Sequence, residues 1–244
     1  MQKERPYLDK QNLKVLQEGF DPLRIKLRVM PVARAPHCKG MNADYYFIEA
    51  GKIATRGDLT KAIDLLKRGL ALTPGHFLCR FNLGVLFFKF GLVVEAAHEF
   101  QHLTLTHAHE AMAHYNLAVC LSQMGTPVRN QESATSPHKI AKSLSGRVNL
   151  TQISSNERYE LICDLCEKAI ETASQDDLLL IADSYQMQAV AHYRLHAPVE
   201  ASNSFTMAKK YQTKFFSDLE KSKSKPQLDY EAIYAAMMKS EENE

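Results

Sequence analysis

The pattern of apolar positions between residues 77 and 103 recurs about 34 residues further along the chain. The tripeptide Asn-Leu-Gly at residues 82–84 is answered by Asn-Leu-Ala at residues 116–118. Two further apolar positions, Ala62 and Leu66, precede Ala96 and Phe100 by the same interval. A period of about 34 residues with two amphipathic faces per unit is the signature of a stacked helix-turn-helix array. The pattern therefore predicts an all-α protein.

Turn signals divide this array into repeats. The first repeat covers residues 43–76, with a helix break at Gly57-Asp58 and a closing Pro74, and the second covers residues 77–110. The third begins at residue 111 and loses its period after Gly125. Residues 126–157 are rich in Ser, Thr, Asn and Pro, which predicts a loop inserted between the two helices of the third repeat.

The predicted organisation has five parts. Residues 1–42 carry nine Lys or Arg against four Asp or Glu and are expected to form a basic, mostly extended arm. Residues 43–125 hold the first two repeats and the first helix of the third, and the insert of residues 126–157 follows. Residues 158–213 supply the second helix of the third repeat and the fourth repeat. Residues 214–244 are expected to form C-terminal capping helices and an acidic tail.

The chain resembles the tetratricopeptide repeat (TPR) family over roughly residues 43–210, although the family's preferred Trp is absent. The small residue of the family's first helix is matched by Ala50, Gly84, Ala118 and Ala189. The bulky residue of its second helix is matched by Leu66, Phe100, Cys166 and Phe205. The resemblance implies a right-handed α-solenoid of about four helix-turn-helix repeats with a loop insertion in the third.

Gly84 gives this resemblance a physical basis. A glycine inside a helix costs about 1 kcal/mol relative to alanine, so its presence at a repeating small position needs a compensating gain. Close approach of the partner helix at that position supplies one, and a large side chain such as Phe100 fills the resulting groove. We therefore expect the partner helix to come close at Gly84.

The resemblance also implies a concave groove, lined by first-helix positions, that binds other proteins. Phe81, Val85 and Phe88 form an i, i+4, i+7 stripe beside the packing face, so their helix is apolar on two faces. Either both faces are buried within the chain, or one awaits an apolar peptide or helix. Carried over, the groove residues are Phe47, Leu78, Phe81, Val85, Phe88, Met112, Tyr115, Val119, Gln186, Val190 and Tyr193.

One branch of the family binds the terminal carboxylate of heat-shock chaperones with Lys, Asn and Arg side chains. The matching places in this chain hold Phe47, Gly51, Asn82, Met112 and Asn116, and only Asn82 fits that pattern. Chaperone C-termini are therefore poor candidates for the partner.

The segment HEFQH at residues 98–102 matches a zinc-protease motif, and a zinc-dependent hydrolase is one alternative function. Phe100, however, belongs to the packing stripe. At 100° per residue, His98 and His102 each lie about 160° from Phe100, so both are expected to face solvent. A second short motif, Cys163-x-x-Cys166, lies inside an amphipathic pattern without a second cysteine pair. We therefore predict no catalytic residues, no metal and no cofactor.

Composition adds three constraints. The net charge of +2 gives no general reason to expect nucleic-acid binding, although the basic arm and the Lys209–Lys225 region leave a nucleic-acid-binding repeat protein as a second alternative. No apolar run has the length of a membrane span. Five cysteines scattered through helical pattern, and an amino terminus without a secretory signal pattern, predict a cytoplasmic protein. The leading hypothesis is a non-enzymatic scaffold in a multiprotein assembly, and the resemblance to the TPR family implies cytoskeletal and ciliary assemblies as candidates.

Overall fold

Amphipathic segments of 13 to 26 residues form every helix of the described chain. The computed structural model describes residues 41–124, 150 and 152–223. The basic arm up to residue 40, most of the insert and the acidic tail beyond residue 223 lie outside these residues, as do the predictions made for them. The described part contains eight α-helices: α1 (Ala43–Thr55), α2 (Leu59–Leu72), α3 (Phe77–Lys89), α4 (Val93–Thr106), α5 (Ala111–Gln123), α6 (Ser155–Thr172), α7 (Leu178–Arg194) and α8 (Pro198–Lys223).

The helices pack in chain order. Each helix contacts the next one along the chain, and the first helices of neighbouring repeats also meet, α1 with α3 and α5 with α7. This arrangement gives four helix pairs, α1–α2, α3–α4, α5–α6 and α7–α8, each packed on its neighbours. The predicted fold class, an all-α solenoid of about four TPR-like repeats, is confirmed.

Polar side chains define where these helices begin. The side-chain oxygens of Asn42, Asp58 and Asp177 accept hydrogen bonds from backbone N–H groups at the starts of α1, α2 and α7. Ser154 and Glu157 form a reciprocal capping box at the start of α6. Because of this capping box, α6 begins at Ser155, inside the last residues that the sequence pattern assigned to the insert.

Two helix turns require glycine. Gly57 and Gly91 lie between the paired helices of the first and second repeats, with φ angles of +91° and +78°. Residues other than glycine rarely adopt φ angles in this left-handed region. These residues therefore end α1 and α3 and allow the chain to reverse into α2 and α4.

Gly84 of α3 lies directly against the Phe100 side chain of α4, in line with the close contact that the sequence predicts at this position. A Cβ atom placed on Gly84 would lie 2.9 Å from Cζ of Phe100, which is fully buried. Gly69 plays a similar part in α2, where a Cβ would lie 2.8 Å from Sγ of Cys79. The repeating small residues therefore permit the helix contacts that hold the stack together.

The interior has three apolar clusters. One lies between α1, α2 and α3, a second extends from α3 to α7, and a third joins α7 to α8. Helix α3 contributes to the first two clusters, through Cys79, Leu83 and Leu86 on one side and Phe81 and Val85 on the other. Helix α3 is thus apolar on two faces because each face packs against a different part of the stack.

Among residues 41–124 and 152–223, no helix is both long and apolar enough to cross a membrane.

Candidate protein-binding surface

The structure separates the eleven predicted groove residues into two groups. Six are buried, with exposed fractions of 0–3%: Phe47, Phe81, Val85, Tyr115, Val119 and Val190. Five are only partly buried: Leu78, Phe88, Met112, Gln186 and Tyr193. The first group belongs to the packed interior and does not line an open groove. A binding role for the second group stays a prediction.

The buried group has a common physical explanation. Phe81 lies three residues before Gly84 and packs edge-on against Phe100, with ring centroids 5.5 Å apart. Phe81 and Val85 share one apolar cluster with Tyr115 and Val119 of the next repeat. Of the two alternatives that the sequence left open for α3, burial within the chain holds at Phe81 and Val85. The helix pattern identified an apolar face without revealing that a neighbouring helix covers it.

A narrower surface remains along the first helices of the repeats. Leu78 and Met112 occupy equivalent positions in the second and third repeats, and both are partly exposed. Ile48 and Asn82, which are equivalent positions of the first and second repeats, lie one helical turn further along and are partly exposed as well. We refer to these four residues as the first-helix surface. It presents three apolar side chains and one amide.

Asn82 adds a polar feature that the sequence analysis connected only with chaperone binding. Its Oδ1 atom is shielded from solvent and accepts no hydrogen bond from the described residues. An amide oxygen left without a partner costs about 1–3 kcal/mol.

The HEFQH segment is integrated into the helix packing. The Glu99 carboxylate accepts a 2.7 Å hydrogen bond from Nη1 of Arg80, which joins α4 to α3, and Phe100 points inward. His98 is exposed as predicted, but His102 is half-buried, so the expectation that both imidazoles face solvent is wrong for His102. Helical periodicity gives the angle between His102 and Phe100 around α4, but it does not show which neighbouring side chains cover the His102 ring. Across the described residues, no three His, Cys, Asp or Glu side chains gather in a metal-binding group.

The two cysteines of the Cys-x-x-Cys segment are buried thiols. Burial raises the pKa of Cys163 to about 12 and places the pKa of Cys166 well above its ordinary value. Cys163 Sγ lies 3.8 Å from Nδ1 of His192, whose own pKa is lowered by burial. A thiol with a raised pKa carries almost no nucleophilic thiolate near neutral pH. Cys166 therefore serves as a small core residue, as the sequence predicts.

His114 on α5 links the second and third repeats. Its Nε2 lies 2.8 Å from the carbonyl oxygen of Ala108, which fixes the proton on that nitrogen when the ring is neutral. Burial lowers the pKa of His114, and the charge of Lys168 lowers it further against the opposing effect of the Ala108 carbonyl. The folded state therefore favours the neutral ring.

This lowered pKa predicts acid destabilisation. Below its ordinary pKa of about 6.5 the unfolded chain binds a proton at His114 more readily than the folded chain does, so stability falls as the pH drops through 6.5 towards the lowered value. We expect the melting temperature to fall between about pH 7.5 and about pH 5.5, and to fall less in a His114→Gln variant. Thermal melts by circular dichroism measure both slopes. Equal slopes would contradict the assignment to His114.

A cavity of about 350 Å³ lies where the insert meets the stack. Arg158, which is almost fully buried, forms part of its wall and donates a 2.7 Å hydrogen bond to the carbonyl oxygen of Met124 across the insert. Sequence reasoning missed this cavity because its walls come from three separate segments. The lining residues are Gly91, Leu92, Val93, Val94, Glu95, Gln123, Met124, Leu150, Ile153 and Arg158.

The helix pairs, their small contact residues and the partly exposed first helices define a TPR-like helical-repeat protein. Solved structures of MamA are similar to this chain. MamA from Desulfovibrio magneticus RS-1, residues 41 to the end, matches with 14% identity and a TM-score of 0.49, over 70% of this chain and 76% of that one. A MamA double mutant from RS-1 matches over the same shares with 14% identity and a TM-score of 0.50.

A third MamA structure, from AMB-1, covers 75% of this chain and 86% of its own at 12% identity, with a TM-score of 0.50. At such low identity, the likeness concerns the fold alone. No protein-family model matches the sequence, and no curated protein matches it significantly.

Proposed function

We propose that this protein is a non-catalytic scaffold that binds a segment of another protein along the first helices of its repeats. The observation that carries the proposal is the first-helix surface, where Ile48, Leu78 and Met112 present partly exposed apolar side chains on the first helices of successive repeats. Successive repeats place equivalent positions side by side. A bound segment would therefore meet apolar contacts from more than one repeat at once.

The chemistry of this surface specifies the kind of segment. Apolar side chains at Leu78 and Met112 favour an apolar face on the partner, in helical or extended form. Asn82 adds a partly exposed amide side chain beside these apolar residues, so a partner with a hydrogen-bonding group at this point fits the surface. Leu78 and Met112 belong to the groove predicted from sequence, whereas Ile48 and Asn82 do not. A cytoplasmic multiprotein assembly, whether cytoskeletal, ciliary or other, stays a prediction for the cellular setting.

Packing of the HEFQH segment supports a scaffold over a zinc hydrolase. The Glu99 carboxylate, which would be the general base of that motif, lies 2.7 Å from the Arg80 guanidinium. The carboxylate held by this contact is part of the interface between α3 and α4. The inward Phe100 fixes the segment in the interface between α3 and α4.

A paired substitution tests the first-helix surface. Leu78→Ser with Met112→Ser is expected to weaken binding to a partner at least about tenfold, because each change removes apolar area worth about 1 kcal/mol or more. Partners identified by proximity labelling would be purified and titrated by calorimetry. The matched control is Leu72→Ser with Leu105→Ser, two exposed leucines on second helices, which should leave affinity unchanged.

Asn82→Leu provides a sharper comparison within the same experiment. Since the variant removes an unsatisfied oxygen, we expect its melting temperature to stay level or rise while its partner affinity falls. Unchanged affinity in both the Leu78/Met112 and Asn82 variants, with folding intact, would refute binding at this surface. In that case the partner binds elsewhere on the stack.

A further inference from the structure

Helix α8 is longer than its partner. It spans 26 residues, whereas α7 spans 17 and the second helices of the first two repeats span 14 each. Among the described helices, α8 packs principally on α7. The last turns of α8 therefore extend beyond the end of α7.

The burial of one repeating residue distinguishes the last repeat from the first three. The bulky second-helix residue is buried in the first three repeats, at Leu66, Phe100 and Cys166. Its equivalent in the fourth repeat, Phe205, is only partly buried. The difference follows from position in the stack, since α7 covers one flank of Phe205 and no described helix covers the other.

Two more apolar side chains continue the same side of α8. Phe216 and Leu219 are 55% and 37% exposed. They lie 11 and 14 residues after Phe205, about three and four helical turns, and so fall on the same side of the helix. We call Phe205, Phe216 and Leu219 the α8 stripe. A stripe of this kind marks an uncovered packing surface.

The chain itself continues into a segment that matches this stripe in pattern and charge. Tyr230, Ile233, Tyr234 and Met237 follow the i, i+3, i+4, i+7 spacing of an amphipathic helix. Residues 209–225 contain six Lys against two acidic residues, whereas residues 226–244 contain five acidic residues against one Lys. The two stretches therefore carry opposite net charges of about 4 each.

Chain length permits a return along α8. Pro226 follows the end of α8 at Lys223 by three residues, and an αα-hairpin needs a connection of only about 2–5 residues. A helix of about 12 residues extends about 18 Å, enough to run from Leu219 back towards Lys209. An antiparallel return would place the acidic start of this segment beside the lysine-rich end of α8.

We propose that residues 226–244 dock antiparallel on the α8 stripe and close the end of the stack. The contacts are apolar along Phe216 and Leu219, with the lysines of α8 flanking the acidic residues of the docked segment. This surface belongs to the last second helix and is separate from the first-helix surface, so the inference goes beyond the proposed function. It concerns contact within one chain.

Hydrogen–deuterium exchange on the full chain tests this docking. We expect the amides of residues 228–239 to exchange at least about tenfold more slowly than in an unstructured peptide. The Phe216→Glu/Leu219→Glu variant should lose this protection, while the amides of α3, α4 and α5 keep theirs. The matched control is Asn203→Glu with Thr206→Glu, which adds the same charge at exposed positions away from the stripe and should retain the protection.

Three outcomes would overturn the proposal. Unprotected amides at residues 228–239 in the unmodified chain would show that the stripe is left for another protein. Equal protection in the Phe216/Leu219 variant would place the segment elsewhere. Protection that grows with protein concentration, together with a doubled mass by light scattering, would assign the stripe to a second copy of the chain.

Discussion

Replacing Phe100 with alanine is expected to lower the free energy of unfolding by about 3–5 kcal/mol, which is the cost of removing a buried phenylalanine. The ring is fully buried, packs edge-on against Phe81 and lies over Gly84. Its removal therefore empties the contact between α3 and α4. Because each repeat depends on its neighbours, the loss extends to the interfaces of α3 with α1 and of α4 with α5.

Urea unfolding followed by circular dichroism measures this loss. Phe90→Ala is the matched control, since Phe90 is an exposed phenylalanine at the end of α3 and should change stability by about 1 kcal/mol or less. If the two alanine variants are equally stable, Phe100 does not carry the interface that its burial indicates.

Gly84→Val is expected to destabilise the fold by about 3 kcal/mol, at the upper end of the usual cost of overpacking. Even the Cβ atom of alanine would lie 2.9 Å from Phe100 Cζ, and valine adds two methyl groups in the same space. Gly84→Ala should cost less, because alanine recovers about 1 kcal/mol of helix propensity. A stability that decreases from glycine to alanine to valine would indicate crowding, because helix propensity alone would make the alanine variant the most stable.

A double-mutant cycle identifies the crowded partner. Gly84→Ala should be less costly in a Phe100→Leu background, because the shorter side chain leaves room for the new methyl group. Gly75→Ala is the control, since no atom lies within 4 Å of its added Cβ position. Additive costs at Gly84 and Phe100 would mean that another neighbour sets the limit.

Several elements of the fold were predictable because they depend on local spacing. The repeat period places Gly84 and Phe100 in the same repeat at facing positions, and the structure confirms their contact. The predicted helix break at Gly57-Asp58 is also a local signal. Both predictions hold because most contacts in the stack join helices that are neighbours in sequence.

The candidate site was predicted less completely, for a physical reason visible at Phe81. Helical periodicity tells which side of α3 is apolar, but burial depends on how closely the next repeat approaches. Phe81 and Val85 therefore looked like groove residues and are core, while Leu78 at the start of the same helix stays partly exposed. Arg158, which no sequence pattern singled out, is a buried charged residue that donates a hydrogen bond to the carbonyl oxygen of Met124.

The Arg158–Met124 hydrogen bond also limits the free-energy cost of changing the length of the segment between these two residues. The bond joins residues 34 positions apart, so the two ends of the segment between α5 and α6 stay together whatever its length. Loop-closure entropy grows only logarithmically, and doubling such a loop costs about 0.6 kcal/mol. Insertions or deletions among residues 126–149, which the sequence predicts to be a loop, are therefore expected to change the stability of the solenoid only slightly.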